Sequence, residues 1–205
     1  MHNRVLSWLF FCAFAAVVSV RAQAPAAPAS PPPGLVLVAK VTGTATKTLN
    51  GVRTALKVDD KVEQTAKINT GLESSVVLAF SNGATTQLGA DTELVIDEFL
   101  QDPFASTIQV ANIEEEPSRS NTKLSLNKGE LVGKVAKLKR TSGSTFTVQT
   151  PVGAAGIRGT TFRIVYRPTG TGQAFNFILT TVEGNVEMTL ATGTINATAP
   201  VSVTD

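Results

Sequence analysis

Residues that carry much of enzyme chemistry are scarce in this chain. Its single histidine, tryptophan and cysteine are His2, Trp8 and Cys12, all close to the N-terminus. A leader peptide is predicted there, so the remaining chain has no imidazole and no thiol. This excludes nucleophilic catalysis with a histidine base or a cysteine nucleophile, and zinc sites built on those ligands. Disulfide bonds are excluded too, so a hydrophobic core must stabilise the fold.

A surplus of charge is also lacking. The chain has 18 basic and 16 acidic residues, and loss of Arg4 and Arg21 with the leader leaves 16 of each. Nucleic-acid-binding domains show a basic surplus or a basic stripe. We therefore expect no nucleic-acid partner.

The first 22 residues have the layout of a secretory signal peptide. Arg4 supplies a positive charge, Val5–Val20 are almost wholly apolar, and Ala22 is a small residue at the expected cleavage position. A membrane span needs about 20 apolar residues, slightly more than this run offers. We predict a signal peptide over residues 1–22 and export to the periplasm or the exterior of a bacterium, with no membrane span after cleavage. An uncleaved membrane anchor is the alternative.

Proline and alanine dominate the next segment. Residues 23–34 read QAPAAPASPPPG, a composition typical of a stiff, extended linker outside any core. The folded domain is therefore expected over residues 35–205.

Apolar and polar residues alternate through most of that domain. Phe146 and Val148 share one face of a predicted strand, Val186 and Met188 share one face of another, and Pro200 marks the last run as an edge. Glycines interrupt the runs at close intervals, and we read them as turns: Gly43, Gly51, Gly71, Gly83, Gly89, Gly129, Gly143, Gly184 and Gly193. The pattern predicts an all-β fold, a single sandwich or roll of many short antiparallel strands.

Two segments depart from this rhythm. Leu131, Val135 and Leu138 have helical spacing, but Gly133 disfavours a helix, so we favour a strand and keep the helix as the alternative. Phe99–Thr122 contains an acidic run and a proline, and it is predicted to be a loop insertion. Its glutamates, Glu114, Glu115 and Glu116, are expected on a solvated face.

The segment TPVGAAGIRGTTF, residues 150–162, has glycines three residues apart after a strand. A phosphate-binding loop would need a helix to follow, because the helix N-terminus holds the anion. Here Phe162-Arg163-Ile164-Val165-Tyr166 follows, which is strand-like. We therefore predict a turn between two strands and no cofactor. Pro151 is expected to end the first strand.

Arg158 is the charged residue of that turn, and its apolar neighbours suggest a buried stem. We expect it to tie the turn to another strand. A cation facing an anionic ligand is the alternative.

Carboxylates are the remaining candidates for catalysis or metal binding. Asp91 and Glu93 are predicted to share one strand face, as are Asp97 and Phe99, while Asp59 and Asp60 are predicted to lie in a turn. A hydrolase built on two carboxylates is a remote alternative, and so is calcium held by Asp59, Asp60 and Glu63. We expect neither a metal site nor catalytic residues.

Three segments resemble the FecR domain family. These are INTGLESSVVLAFSNGATTQLGADTELVI at residues 68–96, LSLNKGELV at 124–132 and FTVQTPVGAAGIRGTTFRI at 146–164, while VTGTAT at 41–46 is similar to the family's first strand. The third segment is the most distinctive, and its matching residues are Thr150, Pro151, Gly153, Arg158, Gly159, Thr160 and Phe162. We expect a structural role for these residues and keep a binding role as the alternative.

The resemblance implies an extracytoplasmic all-β domain that senses or binds. In signalling members it receives a signal from an outer-membrane transporter and passes it through a membrane helix to a sigma-factor regulator. Here a predicted cleavable leader stands in place of the cytoplasmic segment and the helix, so the resemblance is expected to extend to the fold and not to transmembrane signalling. We predict a non-enzymatic protein that binds another envelope protein. A module that binds cell-wall polysaccharide or peptidoglycan is the alternative.

Overall fold

The alternating segments form strands in the computed structural model, since β-branched and aromatic residues pack well on a pleated, half-buried surface. The model describes residues 30–105, 113–169, 175–190, 193–198 and 201–204, with the backbone alone beyond residue 190. The predicted signal peptide and the first part of the predicted linker lie outside the described residues. Fifteen strands are described: β1 Val36–Thr42, β2 Ala45–Leu49, β3 Val52–Ala55, β4 Lys67–Thr70, β5 Ser75–Phe80, β6 Thr85–Leu88, β7 Glu93–Gln101, β8 Ser120–Lys134, β9 Thr145–Thr150, β10 Gly153–Ile157, β11 Thr161–Pro168, β12 Phe175–Glu183, β13 Asn185–Leu190, β14 Gly193–Thr198 and β15 Val201–Thr204.

The strands form two sheets, which confirms the predicted all-β class. The first sheet has the order β3-β2-β4-β7-β8-β9-β10-β13-β14, and the second has the order β1-β5-β6-β8-β11-β12-β15. Strand β8 belongs to both. One detail differs from the prediction of antiparallel strands, because β8 and β9 pair in parallel. The final predicted run is divided between the sheets: β14 pairs with β13 and β15 pairs with β12. Pro200 lies outside the described residues.

Gly129 is where β8 passes from one sheet to the other. Residues 120–128 of β8 pair with β7 and β9, whereas Gly129–Lys134 pair with β6 and β11. Gly129 has φ +99°, and a Cβ there would lie 2.2 Å from Thr92 Oγ1 and 2.4 Å from Thr92 Cα. The Glu130 N–H donates to Thr92 Oγ1 at 3.0 Å. Gly129 therefore makes a corner inside a long strand instead of the predicted turn between strands.

The segment around Leu131 is a strand, as predicted over the helical alternative. It extends β8 to Lys134, and Leu131 is buried in the core. A short 3₁₀ turn, Arg140–Ser142, follows further along.

Four phenylalanines cross the core from sheet to sheet. Their rings meet edge to face, with centroid distances of 5.3, 6.3 and 6.4 Å, in the order Phe99 (β7), Phe80 (β5), Phe146 (β9) and Phe162 (β11). Strands β7 and β9 belong to the first sheet, and β5 and β11 to the second. Each buried ring contributes about 1.5–3 kcal/mol by burial, and each ring pair about 0.5–1.5 kcal/mol more. This row joins the two sheets directly.

The predicted loop insertion over Phe99–Thr122 is wrong at both ends. Strand β7 continues to Gln101, Phe99 is fully buried, and β8 begins at Ser120. A β-bulge between Ile96 and Glu98 reverses the alternation, which places Phe99 inward and leaves Asp97 on the outer face. Asp97 and Phe99 therefore do not share a face as predicted. Residues 106–112 of the insertion lie outside the described residues.

Glu116 contradicts the prediction of a solvated acidic face. Glu114 and Glu115 are exposed, but Glu116 is only 1% exposed. Its carboxylate accepts hydrogen bonds from Ser120 Oγ at 2.7 Å and from the Lys139 N–H at 2.5 Å. A buried carboxylate needs such donors, and here they anchor the loop before β8 to the segment after it.

The end of the predicted linker contacts the sheets. The Gln101 N–H donates to the Pro32 carbonyl at 3.0 Å, and the Gly34 N–H donates to the Phe99 carbonyl at 2.8 Å. The Ser81 N–H, beside the end of β5, donates to the Leu35 carbonyl at 2.9 Å. The described chain from Pro32 onward therefore packs against both sheets.

Replacing Gly129 by alanine should strongly destabilise the fold. The added Cβ must clear the Thr92 backbone at a positive φ, and together these effects should cost about 3 kcal/mol or more of the free energy of unfolding. Urea unfolding of the purified protein measures this. The control is Gly143→Ala, because Gly143 has φ +85° with nothing near its added Cβ, and it should cost only about 1–2 kcal/mol. Equal losses in the two variants would contradict the steric role of the corner.

Candidate functional site

The glycine-rich segment joins strands on both sides and leads into no helix. Strand β9 ends at Thr150, β10 begins at Gly153, and β11 begins at Thr161. The Thr150 hydroxyl donates to the Gly153 carbonyl at 2.9 Å, closing the turn that contains exposed Pro151. These observations confirm the prediction of a turn between strands. A phosphate-binding loop would require a helix N-terminus after the segment, but strand β11 follows it instead.

Residues Arg158–Thr160, here named the Arg158 corner, carry the chain from the first sheet to the second. Strand β10 pairs with β9 and β13 in the first sheet, and β11 pairs with β8 and β12 in the second. Thr160 is 3% exposed, and its carbonyl accepts a hydrogen bond from the Val135 N–H at 2.9 Å. The corner is therefore tied to the chain segment that continues from β8.

Glycines allow the backbone to approach closely on both sides of the corner. Gly159 has φ +73°, and a Cβ there would lie 2.9 Å from Lys137 Cα. Gly184, between β12 and β13, has φ +78°, and its Cβ would lie 2.6 Å from Thr160 Cγ2. The next motif residue, Phe162, is fully buried, and its ring occupies the space that a Cβ on Gly133 would need. These contacts leave Gly159, Thr160 and Phe162 packed against protein.

Arg158 points outward, contrary to the expected buried stem. Its side chain is 36% exposed and forms an ion pair with Glu187 on β13. This pair ties the corner to a neighbouring strand, as the structural interpretation of Arg158 predicts. An exposed ion pair contributes only about 0–1 kcal/mol.

Two shallow clefts flank the Arg158 corner. One, of about 340 Å³, has Arg140 and Arg158 in its lining together with the apolar residues Phe146 and Ile157. The other, of about 320 Å³, has residues of both charge signs in its lining, namely Lys134, Lys137, Glu114 and Glu183, together with Thr160. Residues from the segment 134–140 line both clefts beside the motif, a position that was not predicted from the sequence. Their lysine-rich pattern is visible in the sequence, but their position beside Gly159 depends on long-range strand pairing.

The Glu93 carboxylate on β7 is held in its charged form. The pKa of Glu93 is lowered to about 2, chiefly by the Asn127 amide and further by Asn69 and Lys67, against the opposing effect of burial. Asn127 Nδ2 lies 2.9 Å and Lys67 Nζ 3.0 Å from Glu93 Oε1. A general acid needs a raised pKa, so Glu93 is unsuited to that role.

The neighbouring carboxylates are engaged as well. Asp91 pairs with Lys128 at 2.7 Å, and Asp97 accepts a hydrogen bond from Ser125 Oγ at 2.6 Å. Both carboxylates therefore serve contacts within the protein.

Two of the three candidate calcium ligands, Asp60 and Glu63, form hydrogen bonds or ion pairs within the protein. Asp59 lies in a turn, as predicted, and Asp60 accepts a hydrogen bond from the Lys57 N–H at 2.8 Å. Glu63 pairs with Lys47 at 2.8 Å, and this hydrogen bond is the main cause of its lowered pKa. Within the described ranges, no cluster of three or more His, Cys, Asp or Glu side chains could hold a metal ion.

This chain belongs to the FecR protein family, whose model matches residues 66–187. The match includes every residue of the motif at 150–162 and the Gly129 corner, and it confirms the resemblance found in the sequence. It begins after β3, so the N-terminal hairpin lies outside the matched region. FecR proteins are regulatory and associated with the cell envelope, which supports a signalling or sensing domain.

Comparison with solved structures finds two crystal structures of a candidate anti-sigma factor from Parabacteroides distasonis ATCC 8503. Each has 11% sequence identity and a TM-score of 0.44, and the alignment covers 68% of this chain. This chain spans 58% of that protein's length. No curated protein matches the sequence. Within the described residues, no helix has the length and apolar character needed to cross a membrane.

Substitutions in the Arg158 corner should separate packing from charge. Gly159→Ala should lower the free energy of unfolding by about 2 kcal/mol or more, because its Cβ meets the Lys137 backbone at a positive φ. Arg158→Ala should cost less than about 1 kcal/mol, because its ion pair is exposed. Chemical denaturation of both variants measures these values. A larger loss for Arg158→Ala than for Gly159→Ala would refute the structural account of the motif.

Glu93→Gln should change how stability depends on pH. The folded-state pKa of Glu93 lies near 2, below its ordinary value of 4.5, so its contribution is fully present above the ordinary value. It is lost as the pH falls towards 2, because the unfolded chain then binds the proton more readily. We expect Glu93→Gln to cost about 2 kcal/mol near neutral pH and almost nothing near the folded pKa.

Unfolding curves across that pH range, with Glu98→Gln as the control, test the expectation. Glu98 lies on the same strand, and no ion pair to it is found within the described residues. A difference from wild type that stays constant with pH would rule out the proposed role of the Glu93 charge.

Proposed function

We propose that this chain is an exported, non-enzymatic FecR-domain protein of the bacterial cell envelope, and that it binds another envelope protein as part of a sensing process. The predicted signal peptide at residues 1–22 and the linker that follows support export. The observation that carries the binding proposal is the open backbone edge of β3, where a partner strand can add to the first sheet.

Among the described strands, β3 pairs only with β2. It forms a hairpin with β2 through Asn50-Gly51, and all four of its residues are exposed, Val52 by 64%. The Leu56 N–H donates to the Ala45 carbonyl, which agrees with the alternating ladder expected of a two-residue hairpin loop. In that ladder the backbone N–H and C=O groups of Arg53 and Ala55 face away from β2. They are available to a partner strand.

The edge of β1 in the second sheet differs from this edge. Strand β1 pairs with β5, and its other side is covered by the segment Asp59–Val62. The Asp59 N–H donates to the Val38 carbonyl at 2.8 Å, and the Val38 N–H donates to the Asp60 carbonyl at 2.9 Å. Natural proteins usually cover or blunt such edges. Leaving β3 open where β1 is covered is consistent with use of β3 in binding.

The glycan-binding alternative has less support. Carbohydrate sites commonly present exposed aromatic rings, but the large exposed hydrophobic residues in the described part of the chain are all aliphatic: Leu35, Val52, Val58, Leu72 and Val182. The phenylalanines at positions 80, 99, 146 and 162 are committed to the core. Val52, an exposed aliphatic residue on the open strand, fits a protein partner better.

A photo-crosslinking residue in place of Arg53 should capture a protein partner in intact cells. We expect a discrete protein adduct from this position, because a strand added to β3 would lie within reach of the side chain. The same residue in place of Leu72, which is 81% exposed on a turn outside β3, should give no such adduct. Mass spectrometry of the purified adduct identifies the partner class.

Adding Ala55→Pro tests whether the backbone edge is responsible. The Ala55 N–H faces away from β2, so proline there removes a donor for the partner without breaking the hairpin ladder. The adduct at position 53 should disappear, while Ala55→Gly should retain it and both variants should unfold at similar denaturant concentrations. Persistence of the adduct with proline, or capture of glycan alone, would overturn the proposal.

A further inference from the structure

We propose that Asn50 is a site of spontaneous deamidation and isoaspartate formation, and that Asn82 is protected from this reaction although it also precedes a glycine. The chain contains two Asn-Gly dipeptides, Asn50-Gly51 and Asn82-Gly83. Asn-Gly is chemically susceptible because glycine lacks the side chain that would hinder attack by its nitrogen. The two sites differ in every contact that controls this attack.

The Asn50-Gly51 dipeptide is open to solvent at the end of the β2–β3 hairpin. Asn50 has φ +50° and Gly51 has φ +79°, which is the backbone of a type I′ turn. Both residues are exposed, and a Cβ added to Gly51 would meet nothing within 4 Å. Among the described residues, neither the Asn50 side chain nor the Gly51 N–H has a hydrogen-bond partner. No hydrogen bond among the described residues therefore has to break before the Gly51 nitrogen can attack the Asn50 amide carbon.

The Asn82-Gly83 dipeptide is restrained at each of these atoms. Asn82 is 1% exposed, and its Nδ2 donates to Ser120 Oγ at 3.0 Å. Its Oδ1 accepts a hydrogen bond from the Ala84 N–H at 3.1 Å. The Gly83 N–H, which would be the nucleophile, donates to the Phe80 carbonyl at 2.9 Å. The reaction at Asn82 is slow because these hydrogen bonds must break before the Gly83 nitrogen can attack.

The reaction needs no enzyme and no oxidant. The Gly51 nitrogen, after loss of its proton to base, attacks Asn50 Cγ to form a C–N bond. The Cγ–Nδ2 bond then breaks, and ammonia leaves with a proton from solvent. Water adds to either carbonyl of the resulting succinimide and cleaves one C–N bond, leaving aspartate or isoaspartate. The net change consumes one water molecule and releases one ammonia molecule.

Isoaspartate at position 50 would alter the hairpin. The main chain would pass through the former side-chain methylene group, which lengthens the tight two-residue loop. A negative charge would also appear beside the open β3 edge. The chemistry stands apart from the proposed binding function, because deamidation can be measured with no partner present.

Ageing of the purified full-length protein in mildly alkaline buffer tests the inference. Peptide mapping by mass spectrometry should find deamidation at Asn50 about tenfold or more faster than at Asn82 while the protein is folded. Protein isoaspartate methyltransferase, used as a probe, should label the peptide that contains Asn50. In strong denaturant both sites should react at comparable rates, because the contacts that protect Asn82 are gone.

Two variants serve as matched controls. Gly51→Ala should slow the reaction at Asn50, because a Cβ then hinders attack by its nitrogen, and it should leave Asn82 unchanged. Ser120→Ala removes the nearer of the two acceptors for Asn82 Nδ2, the other being Thr122 Oγ1 at 3.4 Å. It should speed the reaction at Asn82 and leave Asn50 unchanged. Equal rates at the two asparagines in the folded protein, or faster reaction at Asn82, would disprove the inference.

Discussion

The fold depends on the close approach of Gly129 in β8 to Thr92, the residue just before β7. A strand of fifteen residues can serve two sheets only if its backbone changes direction between them, and φ +99° at Gly129 provides that change. The Thr92 hydroxyl then accepts a hydrogen bond from the residue that follows the corner. Beyond the corner, β8 pairs with β11, which places Phe162 over Gly133 in the core. The row of phenylalanines and the Arg158 corner both follow from this geometry.

Local physics explains the part of the fold that could be predicted. Period-two alternation is set by the pleat, so Phe146, Val148, Val186 and Met188 could be placed inward from the sequence alone. The same rule failed after Ile96, because a β-bulge adds one residue and exchanges the faces. Nothing in IDEFLQ reveals a bulge, since its cause is the register with β8. Gly129 was misassigned for a similar reason, because a glycine at a corner inside a strand and one in a turn look alike in sequence.

The site was less predictable than the fold, and Glu116 shows why. Three consecutive glutamates are most simply read as solvated, and two of them are exposed. The third is buried because Ser120 and the Lys139 backbone supply donors from distant parts of the chain. The prediction for Arg158 was wrong in the opposite direction. Its small neighbours suggested a buried stem, but the chain passes between the sheets there and the side chain lies at the surface beside Glu187. Both outcomes depend on contacts across the fold.

Several motif residues within the family match pack against the rest of the protein, which limits their use in binding a partner. Gly159, Thr160 and Phe162 contact the protein's own backbone and core, so substitution there would alter folding before it altered a partner's choice. The open β3 edge lies outside the matched residues 66–187. All four residues of β3 are exposed, so little of their surface packs against the rest of the protein. Under the proposed function, partner specificity would vary at β3 while the matched scaffold stays unchanged. Main-chain hydrogen bonds at β3 would supply affinity to any extended strand, and Val52, Arg53 and their neighbours would select among such strands.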